Sequence, residues 1–306
     1  MNPEDRGFHM KETGIDHGTV RLDLHLHTTV SDGTDRPEEL LPKIREAGIG
    51  LFSVTDHDDI KAARILRTLR KADDPFFLPG VEFSCRDELG RYHILGYGYD
   101  ETAASIQAVV DKGHSLRMTK LRMRLDYVQN KLGFTFSDEE VQQLFAMDNP
   151  GKPHLAKLMV KHGYAGSITQ AIHDYINRLR VREQFLKPEE AIRGILDAGG
   201  IPVLAHPSFG DGDESLTGGE LESRLKRLLA FGLQGMEAFY SGFSPELRDE
   251  NLALAEKYGL YVTAGSDYHG SNKSISLGDT GLDDCPERPE ALLRFLEAAG
   301  ETASAR

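Results

Sequence analysis

The chain has 306 residues, with 36 Lys and Arg against 49 Asp and Glu, a formal net charge of −13; the length suits one large barrel-type domain or one domain carrying an insertion. At 39% hydrophobic and 28% charged it reads as an ordinary globular protein, neither disordered nor, with its acidic balance, a generic nucleic-acid coat. No apolar run approaches the roughly 20 residues that span a bilayer, and MNPEDRGFHMKETGIDHG lacks the apolar core of a secretory signal; with Cys85 and Cys285 the chain's only cysteines, a reducing cytoplasm is the expected compartment.

Residues 20–27 alternate apolar and polar as a strand does, and Pro37 opens a helix ending near Ala47-Gly48. GIGLFSVTDHD reads as an apolar strand of five or six residues ending in polar ones, followed by a helix over about 61–71. Two strands follow at 76–84 and 91–97, with Asp87-Glu88-Leu89-Gly90 as the hairpin turn. From about 101 to 187 the pattern is almost wholly helical, punctuated by Gly133, Pro150-Gly151 and Gly163. After 201 the alternation resumes: IPVLAHP a strand, 219–231 a helix, GMEAFY a strand, 245–258 a helix and LYVTAGSD a strand. Alternation on both sides of a helical stretch predicts an α/β barrel interrupted by an inserted helical domain. A doubly wound open sheet with a helical domain is the other arrangement this pattern allows.

Nearly every strand is expected to end in a titratable cluster: His25-Leu26-His27, Asp56-His57-Asp58, Glu82, His93, His206 and Asp267-Tyr268-His269. In parallel α/β architectures those ends form one face, which carries the chemistry. His25 and His27 point to the same side of a strand, where two imidazoles can grip one cation, and Asp32 in the Ser31-Asp32-Gly33 turn can add a carboxylate. Taken singly, each piece has a plainer reading: Asp56 or Asp58 as a helix cap, His206 as a core histidine before a turn. Taken together they point to metal, because clustered carboxylates need compensating positive charge. The chain's cysteines, Cys85 and Cys285, lie outside these clusters, and two cysteines build no disulfide framework.

The motifs His25-x-His27-(x4)-Asp32-Gly33, Thr55-Asp56-His57-Asp58, Gly80-Val81-Glu82, His93-Ile94-Leu95-Gly96-Tyr97, Ala205-His206-Pro207 and Gly265-Ser266-Asp267-Tyr268-His269-Gly270 resemble, in this order across about residues 20–275, the PHP (polymerase and histidinol phosphatase) family. The resemblance implies a distorted (β/α)7 TIM-like barrel with a two- or three-metal phosphoesterase site. It divides the chain into a first barrel part at 18–100, a helical substrate-capping domain at 101–187, a second barrel part at 188–285 and a C-terminal helix and tail at 286–306. Carried over, one metal takes His25, His27, Glu82 and Asp267. A second takes Glu82 as a bridge with His93 and His206, and a third takes Asp32, His57 and His269. Glu82, Asp267 and His206 then stand closest to the chemistry. Manganese is the favoured ion, with iron or zinc as alternatives, and mixed imidazole and carboxylate donors suit all three.

Gly151-Lys152-Pro153-His154 and the helical insertion resemble the small bacterial phosphoesterases, a branch that includes 3′,5′-nucleotide bisphosphatases and a 5′-to-3′ exoribonuclease. Lys152 and His154, beside a helix start that favours anions, are therefore substrate-binding candidates. Arg117, Lys120 and Arg124 share one helix face, either as a solvated stripe or as a phosphate-facing one. Arg178-Leu179-Arg180-Val181-Arg182 departs from the Gly-containing segment usual in that branch, and the loop at 210–220 does not fit an EF-hand.

The expected function is metal-dependent hydrolysis of phosphate monoesters on small nucleotides, of the 3′,5′-bisphosphate type, or of short RNA 5′ ends. The metals would generate hydroxide from bound water and neutralise the phosphate oxygens. The expected partner is a small phosphorylated substrate, with no membrane and no stable nucleic-acid complex. The alternatives are a histidinol-phosphate phosphatase and a non-catalytic module of the same family.

Overall fold

The computed structural model describes residues 18–181, 184–209, 215–285 and 287–304. The N-terminal stretch before these, Arg182, and residues 210–214 of the loop above lie outside them. The barrel begins with β1 (Leu22–Leu26), α1 (Pro37–Glu46), β2 (Leu51–Val54), α2 (Lys61–Leu69) and the two-residue β3 (Phe76–Phe77). Next come the hairpin β4 (Gly80–Arg86) and β5 (Arg91–Tyr97), closed where the Asp87 N–H donates to the Gly90 carbonyl at 3.0 Å. A helical segment follows: α3 (Ala104–Asn130), α4 (Asp138–Phe145), α5 (Lys152–Lys161) and the short α6 (Ile168–Gln170), which runs on through a π turn and a 3₁₀ turn to Arg178. The second half is α7 (Pro188–Asp197), β6 (Ile201–Leu204), α8 (Gly218–Phe231), β7 (Gly235–Tyr240), α9 (Pro245–Lys257), β8 (Tyr261–Gly265) and α10 (Glu290–Ser304). Helix α7 escaped the pattern reading, although Pro188 and the acidic pair Glu189-Glu190 mark a helix start.

Two sheets form, β1-β2-β3 and β4-β5-β6-β7-β8, and every pairing is parallel except those of β5, which runs against both β4 and β6. The sheets join at both edges. On one side the Asp267 N–H donates to the His25 carbonyl at 2.9 Å and the His27 N–H to the Tyr268 carbonyl at 2.9 Å. On the other, the Asp58 N–H donates to the Glu82 carbonyl at 2.9 Å and the Glu82 N–H to the Asp56 carbonyl at 3.2 Å. The strands thus close into a ring of seven staves, with β3 and β4 as one stave broken at Leu78-Pro79, where proline removes a ladder donor. Gly80 permits the crossing, since a Cβ there would lie 2.2 Å from Ser53 Oγ. This closure excludes the open doubly wound sheet and agrees with the distorted α/β barrel.

The main core, which includes Val81, Phe83, Ile94, Val203, Met236 and Val262, holds the larger sheet, and a second, around Phe52, Leu40 and Leu66, packs α1 and α2 on the smaller one. The helical segment has its own core around Leu125, Leu155 and Met159. Helix α3 belongs to both regions: Ile106 and Val109 pack into the main core, while Leu121, Leu125 and Val128 pack into the helical one. The segment is therefore held against the ring by a continuous helix rather than by a linker.

Candidate metal centre and substrate chamber

The two seams of the ring carry the motif residues. β1 brings His25 and His27 inward, both fully buried, and the chain after β8 brings Asp267 and His269 beside them. At the other seam Asp56-His57-Asp58 pair with Glu82. Two residues sit differently from expectation. Glu82 and His93 lie near the starts of their strands, not at strand ends, because β4 continues to Arg86 and the reversed β5 begins at Arg91. Reversal is what delivers His93 to the face where the parallel strands end. Asp56 and Asp58 do not cap α2. Asp56 accepts from the Thr28 N–H at 2.8 Å and from the Thr28 and Ser31 hydroxyls at 2.6 Å, fixing the loop after β1, and Asp58 accepts from the Ser84 N–H at 3.0 Å.

Glu82 is the hub. Its Oε2 lies 3.3 Å from His25 Nε2, 3.2 Å from His27 Nε2 and 3.0 Å from His57 Nδ1; its Oε1 lies 2.8 Å from His93 Nδ1 and 3.3 Å from His206 Nε2. Asp267 Oδ1 lies 3.6 Å from His25 Nε2, 3.2 Å from His27 Nε2 and 3.3 Å from His269 Nδ1. Asp32 Oδ1 lies 3.3 Å from His269 Nε2, and Oδ2 lies 3.8 Å from His57 Nε2. Bonds of about 2.1 Å to a shared cation put neighbouring donors roughly 3.0–3.5 Å apart, which is the spacing seen here. His25 Nε2, His27 Nε2, His57 Nδ1 and Glu82 Oε2 are buried and make no hydrogen bond of acceptable geometry. Buried polar atoms left in that state are costly unless a cation satisfies them. Among the described residues, three groups have their donor atoms within 4.8 Å of one another: His27, Asp32, His57 and His269; His25, His27 and Asp267; His57, Glu82 and His93. The residues present fit a set of divalent ions.

The electrostatics agree. Burial alone would lift the Glu82, Asp32 and Asp267 carboxyls, but neighbouring cationic and imidazole groups overcome it and hold all three well below the usual carboxylate range. Burial lowers imidazoles, yet Asp267 and Glu82 lift His27 to about 9. The three carboxylates are thus held ionised against surrounding positive charge.

Several supporting residues gave little sequence signal. Glu237, buried in β7, accepts from His25 Nδ1 at 3.1 Å and from the His206 N–H at 2.8 Å, fixing both histidines; an acid inside the apolar GMEAFY run was its one mark. Asp267 Oδ2 accepts from the Tyr240 hydroxyl at 2.9 Å and from Lys273. Asp23 accepts from the N–H groups of Ser266 at 2.9 Å and Gly278 at 2.8 Å, locking the Asp267 turn to β1. Gly265 leaves room for this packing, since a Cβ there would stand 2.2 Å from His25 Cβ. Among the described residues, the non-glycine positions with positive φ are Asp58, His206 and Asp267. Such strain concentrates where a scaffold over-determines a functional geometry.

A chamber of about 490 Å³ opens onto Asp32, His57, His93 and His269. Arg117, Lys120 and Arg124 line it and are buried, so the solvated-stripe reading of that helix face falls. Arg117 donates from Nη2 to Asp32 Oδ2 at 3.3 Å and from Nε to the Asn149 carbonyl at 3.2 Å. Arg124 Nε is buried with no hydrogen-bond partner. Burial pushes Lys120 down to about 7, and its ammonium stands 3.9 Å over the Phe185 ring. Lys152 lines the same chamber and donates to Asn177 Oδ1 at 2.7 Å. His154 does not line it; its Nδ1 accepts from the Gly151 N–H at 3.0 Å at the start of α5. Burial lowers His154 to about 4, so it is uncharged near neutral pH. Arg178 stacks over Tyr175, with its guanidinium carbon 5.9 Å from the ring centroid, and does not line the chamber.

The PHP domain family matches residues 23–193, more than half of the chain. The chain belongs to that family. The 5′-3′ exoribonuclease Rnm of Escherichia coli is 31% identical over 85% of this chain and 88% of its own. A phosphoribosyl 1,2-cyclic phosphate 1,2-diphosphodiesterase of Eggerthella lenta is 29% identical over 81% of this chain and 94% of its own. A 3′,5′-nucleoside bisphosphate phosphatase of Chromobacterium violaceum is 27% identical over 91% and 97%. In fold, the chain is similar to an amidohydrolase structure from Chromobacterium violaceum, with a TM-score of 0.77 at 24% identity over 92% and 97% of the two chains. With the donor cluster above, these relationships make this PHP chain a metal-dependent phosphoesterase. No helix among the described residues is long and apolar enough to cross a membrane.

Proposed function

We propose that the enzyme hydrolyses the phosphate next to a second, non-reacting phosphate on a nucleotide, as in a nucleoside 3′,5′-bisphosphate or the 5′-phosphorylated end of a short RNA. The observation that carries this reading is the chamber beside the donor cluster. It buries Arg117, Lys120 and Arg124 together, and Arg124 Nε has no partner. Arg117 is matched by Asp32, but among the described residues no carboxylate pairs with the buried Arg124, and a buried cation in that state calls for an anion. The reacting phosphate would lie against the cluster and the other phosphate against Arg117, Arg124 and Lys152, the helical segment 101–187 capping both. His154, tied to Gly151, would hold the start of α5 and thereby Lys152.

Two or three divalent ions fit this scheme, manganese first and iron or zinc next. His25, His27, Glu82 and Asp267 would hold one, Glu82 with His93 and His206 another, and Asp32, His57 and His269 a third. When bound, such ions supply an activated water and neutralise developing phosphate charge. The chain's own part is positional: Glu237 orients His25 and His206, Tyr240 and Lys273 orient Asp267, and the basic chamber fixes the distance between the two phosphates. A small diffusible substrate and no lasting nucleic-acid complex suit a chamber of about 490 Å³, and a reducing cytoplasm suits the free cysteines Cys85 and Cys285.

The test compares wild type with Lys152→Ala and Arg124→Gln on a nucleoside 3′,5′-bisphosphate and on an aryl phosphate. Losing one charge-assisted contact should cost roughly ten- to a hundredfold in kcat/KM on the bisphosphate and far less on the aryl ester. Equal losses on both would sink the assignment. Histidinol phosphate, which lacks a second phosphate, should behave like the aryl ester.

A further inference from the structure

The donor cluster faces a second space. A smaller compartment of about 240 Å³ meets the basic chamber at His57, His93, His269 and Lys273, which line both. Its remaining wall is formed by Glu82, His206, Asp267 and two aromatic side chains, Phe209 and Tyr240. Phe209, Tyr240 and Phe243 make one aromatic group, with ring centroids 5.7 Å apart for Phe209 and Tyr240, 5.4 Å for Phe209 and Phe243, and 5.2 Å for Tyr240 and Phe243. Phe209 and Phe243 are half-buried, and the Tyr240 hydroxyl is already committed to Asp267.

The two compartments differ in chemistry. The chamber presents Arg117, Lys120, Arg124 and Lys152, and its phenyl ring, that of Phe185, lies under the Lys120 ammonium; the smaller space presents the rings of Phe209 and Tyr240 and, beyond the donor cluster itself, the cation Lys273. At 240 Å³ it is below the usual size of an independent ligand pocket, so it serves as an annex to the chamber across the cluster. A nucleoside bisphosphate whose non-reacting phosphate lies in the basic chamber carries no second nucleoside across the cluster. Its terminal phosphate ends at the cluster. A phosphodiester carries a second nucleoside on the far side of the scissile phosphorus, and base–aromatic stacking is the contact an aromatic wall supplies without regard to sequence.

We propose that Phe209, backed by Tyr240 and Phe243, is the stacking platform for the nucleoside that follows the scissile phosphate. Among the substrates of the proposed function, this platform favours those that carry a second nucleoside beyond the scissile phosphate. The inference rests on the proposed placement of the non-reacting phosphate in the basic chamber. In the step, the oxygen of water bonds to phosphorus and the P–O3′ bond breaks. The 3′ oxygen of the first nucleotide leaves with one of the water's protons, and the phosphate stays on the second nucleotide. That product again begins with a 5′-phosphate.

The experiment measures kcat/KM for wild type, Phe209→Ala and Phe209→Trp on three substrates: a nucleoside 3′,5′-bisphosphate, a 5′-phosphorylated dinucleotide, and the same dinucleotide abasic at its second residue. Phe209→Ala should lose roughly ten- to a hundredfold more on the intact dinucleotide than on the bisphosphate, and Phe209→Trp should recover most of it. Wild type should discriminate against the abasic dinucleotide by a similar factor. If Phe209→Ala damages both intact substrates equally, wild type decides: indifference to the abasic change overturns the platform. A bisphosphate that is cleaved while the dinucleotide is not also overturns it and leaves the proposed function standing. Failure on every substrate overturns both.

Discussion

Arg117 reaches from α3 to Asp32 across 85 residues of chain, with Nη2 at 3.3 Å from Oδ2, and also approaches Asp58 Oδ2 at 3.9 Å. One buried guanidinium thus joins the helical segment to the metal-binding cluster. Cutting this link by Arg117→Ala should destabilise the protein, since removing one partner of a buried pair costs about 3–5 kcal/mol. A cation beside Asp32 would supply part of the missing charge. Thermal melts should therefore show a larger loss for the variant in chelator than in manganese. Equal losses in both conditions would separate Asp32 from the metal.

Glu82→Gln keeps the shape of the hub and removes its charge. With contacts to His25, His27, His57, His93 and His206 centred on that carboxylate, activity should fall by orders of magnitude while far-UV circular dichroism stays native. Elemental analysis should also find fewer transition-metal equivalents per chain than in wild type. Activity within about tenfold of wild type would refute the central role of Glu82.

Glu237 is not itself assigned to a metal and acts through the His25 ring and the His206 backbone. Glu237→Gln should weaken metal affinity by about 10- to 100-fold, as loss of a histidine-orienting carboxylate generally does. Competition with a chromophoric chelator reads this directly, without reference to turnover. An unchanged affinity would reduce Glu237 to a packing role.

Lys120 predicts a pH dependence of stability. Burial lowers its folded pKa to about 7 from an ordinary 10.5. Below about 7 both folded and unfolded chains carry the charge, and the folded state bears the full desolvation cost. Between about 7 and 10.5 the unfolded chain binds the extra proton, so stability rises with pH and the cost fades. Lys120→Met should accordingly melt higher than wild type at pH 6, with the gap narrowing towards pH 10. A gap constant with pH would show that the lysine charge is not suppressed by folding.

The chain read in isolation determined the local facts. Pro37, the apolar run before Asp56, the hairpin turn at Asp87–Gly90 and the helices after Gly218 and Ser244 follow from turn chemistry and periodicity, which act over a few residues. The donor types were legible as a set, because His25-x-His27, Asp56-His57-Asp58 and Asp267-Tyr268-His269 together, though none of them alone, exceed what caps and core polar residues explain. Helix α7, sitting between the helical segment and β6, was hidden within an otherwise correct alternation. What only the tertiary structure decided depends on strand direction and on which sheet edges meet. Reversal of β5 sends His93 to the face that carries the donor cluster, and the Asp56–Glu82 seam makes Glu82 a hub instead of a strand-end acid. β7 turns Glu237 towards two histidines, and packing of α3 across the ring buries Arg117, Lys120 and Arg124, which helix spacing alone left equally suited to solvent. Spacing along a chain sets which side chains share a face; burial and convergence are properties of the closed ring, where residues separated by up to hundreds of positions supply one another's charge.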